Sequence, residues 1–359
     1  MKVLFIAPLP PPITGHSLAS QIFYDELLNK HEVKTINLSK NSFKGGIDSI
    51  GRIKDVILIL YKTLIESSNC DRIYLTISES FAGNIKDLLI YLICFPKLNK
   101  FYIHLHGGSI KRLLFNKNVL IFNFNKFFIK RLAGVIVLGE SHVATFSDFL
   151  SKNKIHIVPN FSEDYLFLND DEILNKYSNS ERINFLFLSN MQIEKGFQDI
   201  FNAFLQLDFE YRDKIKIDFA GKFENIEEEN KFIAQIRDYN NVKFHGVVKG
   251  ESKKRLFKNA QVFVLPTSFL EGQPVSILEA YASGCFVLST ISGGIVDIFI
   301  NNVNGYEIEK SPKSIKENII KLFNNIHLLK TVGTYNRNYA FANFRTDIYN
   351  KRLINILES

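Results

Sequence analysis

Tryptophan is absent from this 359-residue chain, and cysteine occurs only three times. No apolar run approaches the roughly 18 residues that a membrane-crossing helix needs. Cys70, Cys94 and Cys285 are odd in number, lack metal-ligand spacing and lie in apolar stretches. They argue against a disulfide framework or thiolate metal centre and read as reduced core residues of a cytosolic protein. No G-x-G-x-x-G follows the first apolar run, which disfavours a Rossmann oxidoreductase. No Asp-x-Asp stands in a suitable loop, so no metal is expected. The opening MKVLFIAPLPPP has one lysine and a short apolar run that stops at prolines without a small-residue cleavage site. It reads as a first strand rather than a signal peptide.

What is present is 46% hydrophobic residues, 33 of them Phe, with Lys, Asn and Ile common, the bias of an AT-rich bacterial genome. The length suits two domains. Charge is divided unevenly: residues 1–162 carry 20 Lys and Arg against 11 Asp and Glu, residues 163–309 carry 15 against 23, and residues 310–359 carry 9 against 3. A basic first half attracts anionic surfaces. It lacks a nucleic-acid-binding motif, so no nucleic acid is expected as partner.

Residues 263–290, FVLPTSFLEGQPVSILEAYASGCFVLST, organise the chain. Phe263 to Leu265 is a buried strand stopped by Pro266. A loop runs to Gln273, Pro274 suits a first helical position, and Val275, Ile277, Leu278, Tyr281 and Ala282 recur at helical spacing until Gly284. Such a strand, loop and helix put the loop and the helix N-terminus at the carboxyl edge of a parallel sheet, where ligands bind. The first amides of the helix suit a phosphate.

Strand and helix signals alternate through both halves. Val3 to Ala7 precedes Gly15, which either lets a phosphate approach closely or simply turns the chain. His16 either touches a ligand or caps the helix. Phe101 to Leu105 leads into His106, Gly107, Gly108; period two puts His104 and His106 on one side, with His106 at the carboxyl end. Residues 111–131 hold six basic residues and no acid among Leu, Ile and Phe, a surface suited to anionic lipid, or else an ordinary helix with solvated lysines. After a polar stretch at 162–181, read as a linker, Lys195 beside Gly196 is a compact cation at a helix start, suited to a diphosphate.

The Glu-x7-Glu spacing of Glu271 and Glu279, embedded in EGxPxxxLEAxAxG, resembles the signature of retaining glycosyltransferases of family 4. The resemblance implies the α/β GT-B fold, two Rossmann-like doubly wound parallel-sheet domains facing a cleft. The expected parts are an acceptor-side domain over 1–165, a nucleotide-sugar-binding domain over 166–335, and a final helix over 336–359 that crosses back. It implies Glu271 at the donor sugar near its anomeric centre, His106 beside that sugar, Glu279 on the ribose hydroxyls, and the amides near Val275 and Ser276 on the diphosphate. Gly15, Gly272 and Gln273 join the donor set, and Gly246 and Val247 hold the base. The family's usual arginine, five residues before Lys195, is here Asn190, which joins the donor set as a hydrogen-bonding residue but supplies no charge. Lys195 and the helix start suffice without it, or Lys222 compensates, or the enzyme is slow or inactive.

The activity implied is metal-independent, cofactor-free, retaining transfer of a hexose-type sugar from a nucleotide-sugar, UDP-sugar by its frequency in the family, to a glycan or lipid-linked acceptor. Surface polysaccharides such as lipopolysaccharide or capsule are the expected setting. The expected place is cytoplasmic, either soluble or peripheral on the inner face of the membrane. The alternative is a non-catalytic GT-B protein that binds sugars or a partner.

Overall fold

The computed structural model describes residues 1–39, 49–178 and 182–359. The chain separates into two units, Met1–Asn160 with Leu270–Gln273 and Asp347–Ser359, and Phe161–Phe269 with Pro274–Thr346. Each is built on a parallel six-stranded sheet.

In the first unit the chain runs β1 (Lys2–Ala7), α1 (Gly15–Lys30), β2 (Glu32–Asn37), α2 (Ser49–Ser67), β3 (Arg72–Thr76), α3 (Phe81–Ile93), β4 (Phe101–His104), α4 (Val119–Ile129), β5 (Gly134–Val137) and β6 (Ile155–Ile157). The strand order is β2-β1-β3-β4-β5-β6. Val3 to Ala7 are all wholly buried, as continuous apolar runs must be in strands covered on both faces. The path goes from β1 to β2, then back across β1 to β3 and onward. Right-handed crossovers therefore put α1 on one face and α2, α3 and α4 on the other. The core agrees. Leu4, Ile73, Ile103 and Val135 pack with Ile90, Tyr91, Ile121 and Phe128, while Phe5 stacks on Tyr74 at 5.2 Å and meets Phe23 of α1.

The second unit runs α5 (Asp170–Ser178), β7 (Ile183–Leu188), α6 (Phe197–Gln206), α7 (Phe209–Asp213), β8 (Ile215–Ala220), α8 (Ile226–Ile236), β9 (Val242–Phe244), α9 (Gly250–Asn259), β10 (Val262–Leu265), α10 (Val275–Ala282), β11 (Phe286–Ser289), β12 (Gly305–Glu307), α11 (Pro312–Phe323) and α12 (Leu328–Asn343). Its order is β12-β11-β10-β7-β8-β9, with Val262 opposite both Phe286 and Phe185. The last helix, α13 (Thr346–Glu358), lies almost wholly within the first unit, where Arg72 Nε donates to the Leu357 carbonyl at 2.8 Å.

Three expectations are corrected. The stretch read as a linker holds α5, whose Lys176 is buried; residues 179–181 of its polar run lie outside the described residues. Residues 111–131 form no single helix. Asn118 caps a new one by accepting from Ile121 N at 3.0 Å, after a separate turn at Lys111–Phe115. Pro274 is the cap of α10, extended at ψ 115, rather than its first residue. All three cysteines are buried thiols. Among the described residues no helix is long and apolar enough to cross a membrane.

Candidate active site

Parallel sheets bind ligands where the strand order reverses, because two loops diverge there at the carboxyl edge. In the first unit that place is between β1 and β3. Thr14 caps α1, its hydroxyl accepting from Ser17 N at 3.1 Å, which sets His16 in the first turn. His16 stacks on His106 with ring centroids 4.4 Å apart, and His106 lies 3.9 Å from His104. Tyr74 Oη and His104 Nδ1 are hydrogen-bonded at 2.6 Å. The Nε2 atoms of all three histidines are enclosed without a protein partner. Burial, then the nearby Lys86, lowers His16 to about 4. Burial, then His16, lowers His104 to about 3, and His106 is also held well below its ordinary value, chiefly by burial. At neutral pH the stack is uncharged, suited to hydrogen-bonding hydroxyl groups rather than binding anions.

The Gly-Gly-Ser turn after His106 is held by Glu79, whose carboxylate accepts from Ser109 N at 2.5 Å. Burial raises the pKa of Glu79, opposed by the amides of Ser109 and Ile110. Leu270–Gln273 is laid over the same turn. A Cβ on Gly108 would stand 2.3 Å from the Glu271 carbonyl oxygen, and one on Gly272 would stand 1.9 Å from that of His106. Only glycine permits this approach, and it brings partly exposed Glu271 to His106. Gly108→Ala is expected to displace the loop and cost about 1–3 kcal/mol of stability by overpacking, read by chemical denaturation.

Gln273, expected in the donor set, uses its side chain otherwise. Its Oε1 accepts from Asn160 N at 2.6 Å, its Nε2 donates to the Leu138 carbonyl at 3.3 Å, and Asn160 Nδ2 donates to its carbonyl at 2.9 Å. The side chain secures the loop.

In the second unit the strand order reverses between β7 and β10. Gly196, at φ +82, turns the chain into α6 after Lys195. Lys195 Nζ lies 4.9 Å from the Phe269 ring centroid, and Ser268 N donates to the Glu194 carbonyl at 2.8 Å, so the loops after β7 and β10 are tied together. Asn190 is exposed, and its neighbour Met191 donates from N to the Lys222 carbonyl at 2.9 Å. The two loops carrying Asn190 and Lys222 are therefore adjacent. Gly221 N donates to the Gly246 carbonyl at 2.8 Å, and Val247 is 62% exposed. No side chain caps α10, which begins with Val275 and Ser276.

Glu279, on the buried face of α10, is joined by residues that sequence reasoning missed. Lys253 Nζ lies 2.6 Å from Glu279 Oε1 and 2.5 Å from Glu163 Oε2, and Tyr165 Oη donates to Glu163 at 3.2 Å. Burial raises the pKa of Glu279, and Lys253 opposes it. Burial lowers the Lys253 pKa, but the two carboxylates outweigh it and the ammonium ends above its ordinary value. The available signal was Lys253 at helical spacing with buried Leu256 and Phe257. Among the described residues no group of three or more His, Cys, Asp or Glu could hold a metal ion.

The fold is shared with solved structures. HepE (Alr3699) of Anabaena, in complex with UDP-glucose, matches 100% of this chain and 99% of its own with a TM-score of 0.73 at 15% identity. Sucrose-phosphate synthase of Thermosynechococcus elongatus matches 100% and 98% with a TM-score of 0.74 at 12% identity. The two parallel sheets with their helices are thus a GT-B-like arrangement. By sequence, the uncharacterized glycosyltransferase MJ1069 of Methanocaldococcus jannaschii is 27% identical over 176 residues, 49% of this chain and 44% of that protein. The match thus spans less than half the length of that relative. Residues 169–339 match the family described as Glycosyl transferases group 1, a stretch that includes Lys195, Glu271 and Glu279. That stretch, just under half of the chain, is what the protein shares with the glycosyl transferases group 1 family.

Proposed function

We propose that the chain is a retaining, metal-independent glycosyltransferase that moves a hexose-type sugar from a UDP-sugar to a glycan or lipid-linked acceptor of a bacterial surface polysaccharide. The observation that carries this reading is the Glu-x7-Glu pair inside the matched family stretch, set in the loop after β10 and on the helix that follows it. The donor class draws support from HepE, of like fold, in complex with UDP-glucose.

In this reading the uncapped start of α10, at Val275 and Ser276, and Lys195 take the diphosphate, supplying the positive charge that a metal would otherwise provide. Glu279 takes the ribose hydroxyls, with Lys253 holding it ionised, and Gly246 and Val247 take the base. Glu271, Gly272 and His106 meet the donor sugar. Gly15 lies at the turn into α1, where His16 adds a second imidazole. The acceptor hydroxyl attacks from the face the phosphate leaves, and the departing phosphate oxygen takes its proton, so configuration is retained. Glu271 stabilises the positive charge that develops on the sugar and forms no covalent bond.

Asn190 in place of the usual arginine keeps one other reading in play, a non-catalytic protein that binds sugars or a partner. Calorimetric titration with UDP, GDP and ADP, with and without EDTA, tests the site first. The expected result is binding of UDP alone, unchanged by EDTA. Loss of binding in EDTA would overturn the metal-independent site, and binding without transfer to any acceptor would favour the non-catalytic reading.

A further inference from the structure

Helices α2, α3 and α4 lie side by side on one face of the first unit's sheet, and their inner sides make its core. Helices in that position ordinarily turn polar residues outward. Here each presents an apolar stripe to solvent. On α2, Ile53, Ile57, Tyr61 and Leu64 are 59–60% exposed. On α3, Phe81, Ile85, Leu89 and Leu92 repeat the same spacing of four, four and three, at 37–59%. On α4, Leu120, Phe124 and Phe127 continue it at 44–69%. Scattered exposed apolar residues need no explanation, but three aligned stripes on adjacent helices form a continuous patch of the kind that marks a docking surface.

The charge around the patch selects its occupant. Residues 49–67, 81–100 and 111–131 together hold twelve Lys and Arg against three Asp and Glu. Lys86 and Asp87 are both buried and paired at 3.0 Å, which leaves eleven cations against two acids. Lys111, Arg112, Lys117, Lys130 and Arg131 are all exposed beside the α4 stripe. Arg131 lies over the Phe127 ring, 3.8 Å from its centroid, and Phe95 stacks on Phe127 at 6.3 Å, so aromatic and cationic groups stand together. A second copy of this chain would bring the same positive charge against itself. A surface that is apolar at its centre and cationic at its edge fits acyl chains below anionic headgroups.

We infer that the outer face of α2, α3 and α4 docks this protein on an anionic lipid bilayer, with the Leu, Ile and Phe stripes entering the interface and the Lys and Arg residues meeting the headgroups. The docking is peripheral and stands apart from the transfer reaction. It needs neither donor nor acceptor, so its failure and the failure of the proposed function are read in separate experiments.

The test is cosedimentation of the full chain with vesicles of phosphatidylcholine alone and of phosphatidylcholine with about one third phosphatidylglycerol. The wild type is expected to sediment with the anionic vesicles and to stay in solution with the neutral ones. A variant carrying Leu64→Ser, Leu92→Ser, Leu120→Ser and Phe124→Ser is expected to lose at least about tenfold in partition. A variant carrying Lys111→Gln, Lys117→Gln and Lys130→Gln is expected to lose about fivefold for each charge. All seven sites are exposed, so unchanged thermal unfolding certifies that both variants are folded. Three results each overturn the inference: a wild type that leaves both vesicles in the pellet alone, an apolar variant that binds as the wild type does, or a wild-type dimer that the apolar variant turns to monomer without any vesicle binding.

Discussion

Glu271→Gln is expected to lower sugar transfer by about 10²–10³-fold while leaving the Kd for UDP within about threefold of wild type. The two effects separate because the loop and the carboxylate do different things. The loop is positioned by the close approach of the Glu271 carbonyl to Gly108, by Gly272 against the His106 carbonyl, and by the hydrogen bonds that hold Gln273. Glutamine keeps all of these. What it removes, in the proposed mechanism, is a negative charge beside the carbon where positive charge develops, an interaction stronger in the transition state than in the bound substrate. In the proposed site nucleotide affinity rests instead on Lys195, Glu279 and the start of α10, so Glu279→Ala is expected to raise the UDP Kd far more than Glu271→Gln does. Rates measured at saturating donor, set beside calorimetric UDP binding, distinguish the two. Wild-type rates in both variants would remove the pair from the site.

The strands and helices that carry the candidate site were legible because their signals are local. The strands read as apolar runs because both faces are covered, and His104 and His106 fall together because alternation along a strand puts every second side chain on one side. The break at Asn118 could have been read too, since an asparagine before an apolar run is a strong helix start. The groups that were missed act across distance in sequence. Glu79 holds a turn thirty residues further on, and Glu163 meets Lys253 ninety residues away. Gln273 has a structural role that its sequence context did not show. Its side chain is held by Asn160, far away along the chain. Lys253 was hidden because it carries the charge of a surface residue at a position whose helical neighbours are core.

Lys253→Met is the severest test of that buried ion triad. The lysine is 9% exposed and Glu279 3%, and the substitution leaves two carboxylates facing each other with no cation between them. Removing one member of a buried ion group destabilises by about 3–5 kcal/mol, most of it the cost of the charge left behind. That cost depends on pH in a definite direction. Burial already raises the pKa of folded Glu279, and only Lys253 pulls it back. Without the lysine the folded pKa rises further, so between the unfolded value and the new folded value the native state binds more protons than the unfolded one. Stability must then fall as pH rises through that window. In denaturant titrations the deficit of Lys253→Met should be largest at pH 8 and shrink toward pH 5, as protonation of Glu279 removes the repulsion. Methionine fills much of the volume of the lysine stem, so a packing defect alone would leave a deficit independent of pH. UDP affinity should follow the same profile in reverse, since a protonated Glu279 is a poorer acceptor for ribose hydroxyls. A variant that is less stable at pH 5 than at pH 8 would contradict the assignment of the triad as an electrostatic unit.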